Sequence, residues 1–370
     1  MDRKLRVAVI FGGKSAEHEV SLMSAASVIQ AMPKDKYEIV PVAIGKDGRW
    51  LLGERAARML NGVRVREATG QLVVLADGDR GLLEIDLARG QQASERIDVV
   101  MPILHGTYGE DGTVQGLLEL ADVPYVGAGV AASAVGMDKV LMKALFQQAG
   151  LPVVDWAFYT RGEWRRDPER VRQQIEARFG YPCFVKPANL GSSVGVSKVH
   201  DAAELDGALA LAARYDRKII VERAVSAREI ECSVLGNDEP IASVPGEIVP
   251  SREFYSYEAK YLDEDSRLII PAPLDDETTQ VVQDLAVRAF KAIDCAGMAR
   301  VDFFVDKDDG RVWVNEANTI PGFTKISMYP KLWEASGIPY PELIDRLIQL
   351  AIERHREKRE SETSYGSSEH

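Results

Sequence analysis

Cysteine and histidine are scarce in this chain of 370 residues. Its three cysteines, Cys183, Cys232 and Cys295, show no Cys-x-x-Cys spacing, and its five histidines are scattered along the sequence. Structural zinc sites are built from closely spaced cysteine and histidine ligands, and disulfide scaffolds need many paired cysteines. The sequence therefore predicts neither kind of site, and it predicts that the three thiols are buried.

Long apolar segments are absent as well. The longest stretch without a charged residue covers residues 123–137 and is interrupted by Pro124, Gly127 and Gly136. A helix that spans a bilayer needs about 20 apolar residues. The N-terminus shows no signal-peptide core followed by a small-residue cleavage site. We therefore expect no membrane association and a cytoplasmic location.

Positive charge is in deficit. Lys and Arg number 45 against 57 Asp and Glu, which gives a net charge of −12 at pH 7. An acidic surface of this kind repels polyanions, so nucleic acid is not expected as a partner. The content of 46% hydrophobic and 28% charged residues is ordinary for a globular protein, and the length predicts about two to three domains.

The beginning of the chain predicts a doubly wound α/β domain. Residues 5–11 form a buried-strand run, apolar except for Arg6, that ends in Gly12-Gly13. Residues 19–32 have helical spacing, and residues 37–44 form the next strand. Ligands of such βαβ folds collect at the carboxyl ends of the strands, where the paired glycines lie. No G-x-G-x-x-G pattern occurs there, which argues against a dehydrogenase.

Two strands near the C-terminal end are joined by a short turn. Residues 300–306 and 311–318 have strand composition, and the segment Asp308-Asp309-Gly310 is typical of a three-residue hairpin loop with glycine in the left-handed conformation. Lys307 would then pair with Arg311. The register of the whole hairpin follows from that pair.

This register places three oxygen-bearing side chains together. Asp302 lies opposite Glu316, and Asn318 lies two residues further on the same face. Like charges directly opposite each other destabilise a sheet unless a cation lies between them, and oxygen ligands favour Mg²⁺ or Mn²⁺ shared with phosphate. The alternative is a hairpin whose polar face is simply solvated, and the spacing alone does not decide between the two.

A second group of residues suits phosphate. The loop Gly191-Ser192-Ser193-Val194-Gly195 offers backbone N–H groups and two hydroxyls, and Lys186 and Lys139 would be costly buried charges without an anion. Each feature alone has a simpler explanation, an ordinary connection or a lysine that reaches solvent. Their co-occurrence favours a nucleotide site. The aromatic and charged loop at residues 253–263 is typical of a lid.

Three segments together resemble the D-alanine:D-alanine ligases of the ATP-grasp superfamily. They are residues 12–21, 105–112 and 315–324, and the resemblance extends from about residue 5 to residue 352. The family fold has three α/β domains, and it implies the following division. Residues 1–127 form a doubly wound substrate domain with a β-rich insertion at about 46–96. Residues 128–222 form the central ATP-grasp domain and residues 223–355 form the C-terminal ATP-grasp domain. Residues 356–370 form a polar tail. We expect the chain from Glu353 onward to be frayed.

The resemblance implies ATP-dependent ligation of two D-alanines through a D-alanyl phosphate, for peptidoglycan precursors, by a homodimer. Members of the family that form dipeptides have a tyrosine at the position of Tyr261. The resemblance therefore favours D-alanine over D-lactate as the second substrate. Ligases that use D-lactate or D-serine remain the alternative within this fold. A catalytically silent nucleotide-binding protein is the alternative from another class.

The resemblance also implies a role for individual residues. It assigns ATP binding to Lys139, Lys186, Ser193, Glu222, Val225, Glu229 and Lys260. It assigns the binding of two Mg²⁺ or Mn²⁺ ions to Asp302, Glu316 and Asn318. Amino-acid binding falls to His105, Ser327 and Met328, and catalysis to Glu17, Ser192, Tyr261, Arg300 and the N–H of Gly322. For His105 a purely structural role in the glycine-rich turn is an equal alternative.

Overall fold

The first sheet is parallel at its centre because a helix connects its first two strands. The computed structural model describes residues 3–61, 71–76, 81–86, 91–249 and 267–362. Strand β1 (Leu5–Gly12) lies between β2 (Tyr37–Ile44) and β7 (Val99–Ile103) and is parallel to both. Helix α1 (His18–Ala31) joins β1 to β2, and β3 (Trp50–Leu52) adds an antiparallel edge. The predicted βαβ start is confirmed.

The segment after β3 forms a separate small sheet. Its strands are β4 (Gln71–Ala76), β5 (Gly81–Asp86) and β6 (Gln91–Arg96), all antiparallel. Helix α2 (Gly53–Leu60), which the sequence reading missed, precedes them, and α3 (Thr113–Leu120) follows β7. The β-rich character of this insertion is as predicted.

The middle of the chain is built on a four-stranded antiparallel sheet in the order β10-β9-β11-β8. The strands are β8 (Trp156–Thr160), β9 (Cys183–Pro187), β10 (Ser197–Val199) and β11 (Lys218–Arg223). The helices are α4 (Val130–Met137), α5 (Lys139–Gln148), α6 (Arg161–Arg166), α7 (Pro168–Phe179) and α8 (Ala202–Tyr215). Side chains of α7 and α8 form a core with this sheet.

The last sheet runs β15-β14-β12-β16-β17, with β13 beside β12. Its strands are β12 (Ala227–Gly236), β13 (Ile241–Ala242), β14 (Gly246–Val249), β15 (Arg267–Ile269), β16 (Gly297–Asp306) and β17 (Val312–Asn318). The helices are α9 (Asp276–Ala292), α10 (Met328–Ala335) and α11 (Tyr340–Lys358). Among the residues described, no helix is both long enough and apolar enough to cross a bilayer.

One hydrophobic core joins the two ends of the chain. Phe11 and Val28 from the first sheet and α1 pack in the same cluster as Phe323, Tyr329 and Leu347 from the C-terminal part. All three cysteines are buried free thiols, as predicted. The shared core packs Ile103, at the end of β7, with Ile320 and Phe323 of the segment after β17.

The end of α11 differs from the expectation of a frayed tail from Glu353. The helix continues to Lys358. Arg354 donates hydrogen bonds to the carbonyl oxygens of Tyr125, at 3.1 Å, and Gly127, and its guanidinium lies 4.4 Å from the centre of the Tyr125 ring. Further contacts join His355 to Asp122 and Lys358 to Glu119. The charged helix end is ordered because it binds the N-terminal part through polar groups.

We expect Arg354→Ala to lower the free energy of unfolding by about 1 to 3 kcal/mol. The substitution leaves two buried carbonyl groups without this donor. An unsatisfied buried hydrogen-bonding group usually costs a free energy of this size. Urea unfolding followed by circular dichroism measures the change. Arg356→Ala, at an exposed position on the same helix, is the control. Equal stability of the two variants would contradict the contact.

Candidate active site

The hairpin of β16 and β17 has a longer turn than predicted. The N–H of Asp306 donates to the carbonyl of Arg311 at 2.9 Å, so the loop contains four residues, Lys307 to Gly310. Gly310 has the expected left-handed backbone, with φ of 71°. The predicted pairing of Lys307 with Arg311 is therefore wrong by one residue.

A β-bulge cancels this difference. Phe303 pairs with Val314, whereas Asp302 pairs with Glu316, so Asn315 is the extra residue on β17. A bulge places two residues of one strand opposite one of the other. The predicted pairing of Asp302 with Glu316 is confirmed, although two opposite shifts in register produce it.

Cations of the protein lie against the opposed carboxylates. Arg300 donates two hydrogen bonds to Asp302, at 2.7 and 2.8 Å, and its Nε lies 3.0 Å from Glu231 Oε2. Lys139 Nζ lies 3.3 Å from Glu316 Oε2. Burial opposes the charge of Arg300, but the carboxylates outweigh it and hold the pKa of Arg300 well above its ordinary value. The predicted partners Arg300, Asp302 and Glu316 are thus brought together.

The donor set suits a hard divalent cation. Asn318 Nδ2 donates to Asp302 Oδ2 at 3.0 Å, and a rotation of the amide would present its oxygen at the same place. No cluster of three or more His, Cys, Asp and Glu side chains suited to a metal exists among the described residues. Mg²⁺ in nucleotide sites is usually held by one or two carboxylates together with phosphate oxygens and water, and Asp302 and Glu316 supply two such carboxylates.

A buried triad lies beneath these residues. The carboxylate of Glu222, only 2% exposed, is 2.6 Å from Lys186 Nζ and 3.0 Å from Lys143 Nζ. Burial alone would raise the pKa of Glu222, but the two ammonium groups lower it to about 2. The sequence reading missed Lys143. Its spacing of four residues from Lys139 on one helix face was the available signal.

Most of the predicted nucleotide and metal residues line one cavity of about 220 Å³, together with Ser192, which was predicted to be catalytic. They are Lys139, Lys186, Ser192, Ser193, Glu222, Val225, Glu229, Asp302, Glu316 and Asn318. Lining residues that were not predicted include Glu110, Lys198, Arg223 and Glu231. Lys260 and Tyr261 lie outside the described residues.

Glu17 connects the first loop to the serine-rich loop. It is buried immediately before α1, and its carboxylate accepts a hydrogen bond from Ser192 Oγ. Gly106 packs against it with φ of 75°, and a Cβ there would lie 2.6 Å from Glu17 Oε2. Only glycine fits this contact, so the glycine-rich turn is shaped around the carboxylate.

Both ring nitrogens of His105 form hydrogen bonds within the protein. Nδ1 lies 3.1 Å from the carbonyl of Ile320, and Nε2 lies 3.1 Å from Ser24 Oγ, which also accepts the N–H of Phe323. The carbonyl requires a protonated Nδ1, so Nε2 accepts from the serine. Burial lowers the pKa of His105 and keeps the ring neutral. These contacts hold the segment that contains Gly322.

Ser327 and Met328 begin helix α10. Ser327 Oγ accepts the N–H of Thr324 at 3.0 Å, and a Cβ on Gly322 would lie 2.7 Å from that oxygen. The side chain of Met328 is buried, so its backbone is the part that can meet a ligand. The first N–H groups of a helix lack intrahelical acceptors and suit an anion.

Two family models match this chain. One, described as the D-ala D-ala ligase N-terminus, matches residues 6–128, and the other, the D-ala D-ala ligase C-terminus, matches residues 145–349. The chain belongs to the D-alanine–D-alanine ligase family. The family predicted from the sequence is confirmed.

Relatives in this D-alanine–D-alanine ligase family match over nearly the whole chain. The ligase of Acetivibrio thermocellus is 50% identical over 374 residues, covering 96% of this chain and 98% of the relative. The ligase of Thermoanaerobacter sp. (strain X514) is 55% identical over 358 residues, with the same coverage.

Solved structures confirm the fold class of an α/β ATP-grasp ligase. The structure of the D-alanine-D-alanine ligase from Coxiella burnetii superposes with a TM-score of 0.84 at 42% identity, covering 97% of both chains. That of VanG D-Ala:D-Ser ligase from Enterococcus faecalis gives 0.83 at 38% identity, covering 94% of this chain and 100% of the other.

Glu110 is a further residue that the sequence reading missed. Its Oε2 accepts the N–H of Gly106 at 2.6 Å, and its Oε1 that of Ile320 at 3.3 Å. Burial, together with the charge of Glu17, raises the pKa of Glu110 to about 8. In this D-alanine–D-alanine ligase family member, a carboxyl group that keeps its proton near neutral pH therefore lies between the glycine-rich turn and the segment after β17.

The raised pKa of Glu110 makes stability depend on pH. Between about pH 4.5 and 8 the folded protein holds this proton and the unfolded chain has released it, so the free energy of unfolding falls as pH rises. Because glutamine cannot ionise, we expect the free energy of unfolding of Glu110→Gln to decrease less with rising pH. Urea unfolding at several pH values measures it. Glu357→Gln, an exposed carboxylate, is the control, and parallel profiles for all three proteins would contradict the assignment.

Proposed function

We propose that this protein joins two D-alanine molecules into D-alanyl-D-alanine, with ATP as the other substrate, and so supplies peptidoglycan precursor synthesis. The observation that carries the proposal is the convergence, in one cavity, of two lysines with a facing pair of carboxylates, Asp302 and Glu316. Lysines and acidic side chains that share one cleft suit a metal-bound triphosphate. The family membership supports the same reaction.

A carboxylate is a poor electrophile, so amide synthesis requires that one of its oxygens first becomes a leaving group. In the proposed mechanism the carboxylate of the first D-alanine attacks the γ-phosphate of ATP and forms D-alanyl phosphate with release of ADP. Lys139 and Lys186 would neutralise the phosphates, and Ser193 would donate to them. Asp302, Glu316 and Asn318 would hold two divalent cations, whose positive charge would stabilise the transferring group.

The nucleoside would lie at the other end of the cavity. We assign the adenine to Glu222 and Val225 and the ribose hydroxyls to Glu229, all of which line it. Because the carboxylate of Glu222 is bound to two lysines, it would orient Lys186 as well as border the base. Lys260 is assigned to the phosphates on the resemblance alone.

The first D-alanine would bind beside Glu17. The buried carboxylate suits an ammonium group, and its hydrogen bond from Ser192 couples it to the loop that would cover the phosphates. Tyr261 is proposed to join the same network. His105 would support this side of the site through Ser24 and Ile320 rather than through a free ring nitrogen.

The second D-alanine would bind at the start of α10. Ser327 Oγ and the N–H of Met328 would hold its carboxylate. Its amine would then attack the acyl phosphate, form the C–N bond and displace phosphate. Arg300 and the N–H of Gly322 would stabilise the oxyanion of the tetrahedral intermediate. The ion pairs that Arg300 makes with acidic neighbours keep its guanidinium charged.

A homodimer and a cytoplasmic location complete the proposal. Consecutive helices α3, α4 and α5 expose the apolar side chains of Leu117, Leu120, Val130, Leu141 and Leu145. Exposed apolar surface of this kind marks an interaction site, and a second copy of the chain would cover it. ATP is a cytoplasmic substrate, which supports the location.

The second substrate is tested by measuring ADP release from ATP and D-alanine with D-alanine, D-lactate or D-serine in excess. We expect turnover with D-alanine to exceed that with the other two, because a phenol at position 261 accepts an amine without repelling it. Product analysis distinguishes a dipeptide from an ester. Higher turnover with D-serine or D-lactate would assign the protein to those ligases, and no D-alanine-dependent turnover would overturn the proposal.

We expect Glu316→Gln to lower turnover by about 100-fold or more while the thermal unfolding temperature stays near that of the wild type. One charged oxygen ligand is lost without a change of volume, and a single electrostatic group of this kind is worth that factor. Coupled ADP assays and circular dichroism measure both effects. Glu334→Gln, an exposed carboxylate on α10, is the matched control, and near-normal turnover of Glu316→Gln would remove the metal assignment.

A further inference from the structure

One face of helix α5 contacts the bulged part of β17. Lys139, Met142 and Lys143 share that face, since positions separated by three and four residues are neighbours on a helix. Lys143 Nζ donates to the carbonyl of Asn315 at 3.1 Å, and the N–H of Ala317 points to Met142 Sδ at 3.3 Å. The two contacts flank Glu316 on both sides.

We propose that Lys143 is a positioning residue for the metal and phosphate site. Its buried ammonium group holds the bulge of β17 through the carbonyl of Asn315, so that Glu316 stays opposite Asp302. The same group binds the carboxylate of Glu222 and so fixes the direction of Lys186. The inference rests on the proposed function, because it concerns the placement of residues assigned to the cations and phosphates.

The bulge needs support from outside its own sheet. Strand β17 is the last in the order of the sheet, and along its outer edge the N–H of Val314 donates to Pro152 O while the N–H of Ala317 points to Met142 Sδ of α5. The register on the two sides of Asn315 differs by one residue. Without the bulge the register of the turn would continue and place Asn315, not Glu316, opposite Asp302. The contact with Lys143 therefore decides which side chain faces the aspartate.

Lys143 carries a charge at a buried position, where its two acceptors offset the cost of desolvation. Lys143 is 1% exposed, and burial lowers its pKa while Glu222 opposes that shift. Replacing only this lysine would leave the buried carboxylate of Glu222 with one of its two cations, and removal of one partner from a buried ion pair is usually strongly destabilising. The two acceptors, Asn315 O and Glu222 Oε1, both belong to elements that carry residues of the cavity. The ammonium group thus links the strand of Glu316 to the strand pair of Lys186.

The test compares Lys143→Met with Lys291→Met, the same substitution at an exposed position on α9. Titration of Mn²⁺ into each protein with a nonhydrolysable ATP analogue, followed by electron paramagnetic resonance, measures metal affinity without turnover. Loss of a residue that orients metal ligands typically costs about 10 to 100-fold in affinity. We expect that loss for Lys143→Met, with a matching rise in the Mg²⁺ concentration for half-maximal turnover, and no change for Lys291→Met.

Unchanged Mn²⁺ affinity in a folded Lys143→Met protein would overturn the inference, even if its stability fell. If this variant does not fold, Lys143→Gln decides, because its uncharged amide side chain is one bond shorter than that of lysine and so loses the ion pair with Glu222 and the reach to Asn315 O. A several-fold loss of Mn²⁺ affinity there supports the inference, and no loss overturns it. Glu316→Gln is measured in parallel. If wild type and Glu316→Gln bind Mn²⁺ equally, the proposed metal site itself is wrong.

Discussion

The repulsion between two carboxylates on neighbouring strands is the constraint around which this site is organised. Asp302 and Glu316 face each other across β16 and β17, and each is placed against a cation of the protein, Arg300 or Lys139. Such an arrangement is stable only while positive charge is present. The same need for positive charge makes the cleft suited to divalent ions and to the phosphates that accompany them.

Much of this arrangement could be predicted because it depends on local signals. A turn glycine and alternating strand residues predicted Asp302 opposite Glu316, and the pairing is right because two register differences cancel. The turn length and the bulge could not be predicted from the sequence. The four-residue turn and the bulge at Asn315 shift the register in opposite directions. A bulge held by a side chain from a distant helix leaves no periodic pattern in its own strand.

Other residues escaped prediction for a related reason. Lys143 and Glu110 are ionisable residues, and such residues on helices and loops are ordinarily exposed. Only tertiary packing buries them, against Glu222 in one case and the glycine-rich turn in the other. Arg354 was missed because a polar helix end has no apolar periodicity, although its contacts with Tyr125 and Gly127 join two parts of the molecule.

The core shared by the first and last elements has a consequence for synthesis on the ribosome. Phe11 and Val28 emerge early, yet their cluster includes Leu347 of α11, near the end of the chain. A nascent chain without that helix would leave this apolar surface open to solvent and to chaperones. The packing of this shared core can therefore be completed only when translation of the chain is almost finished.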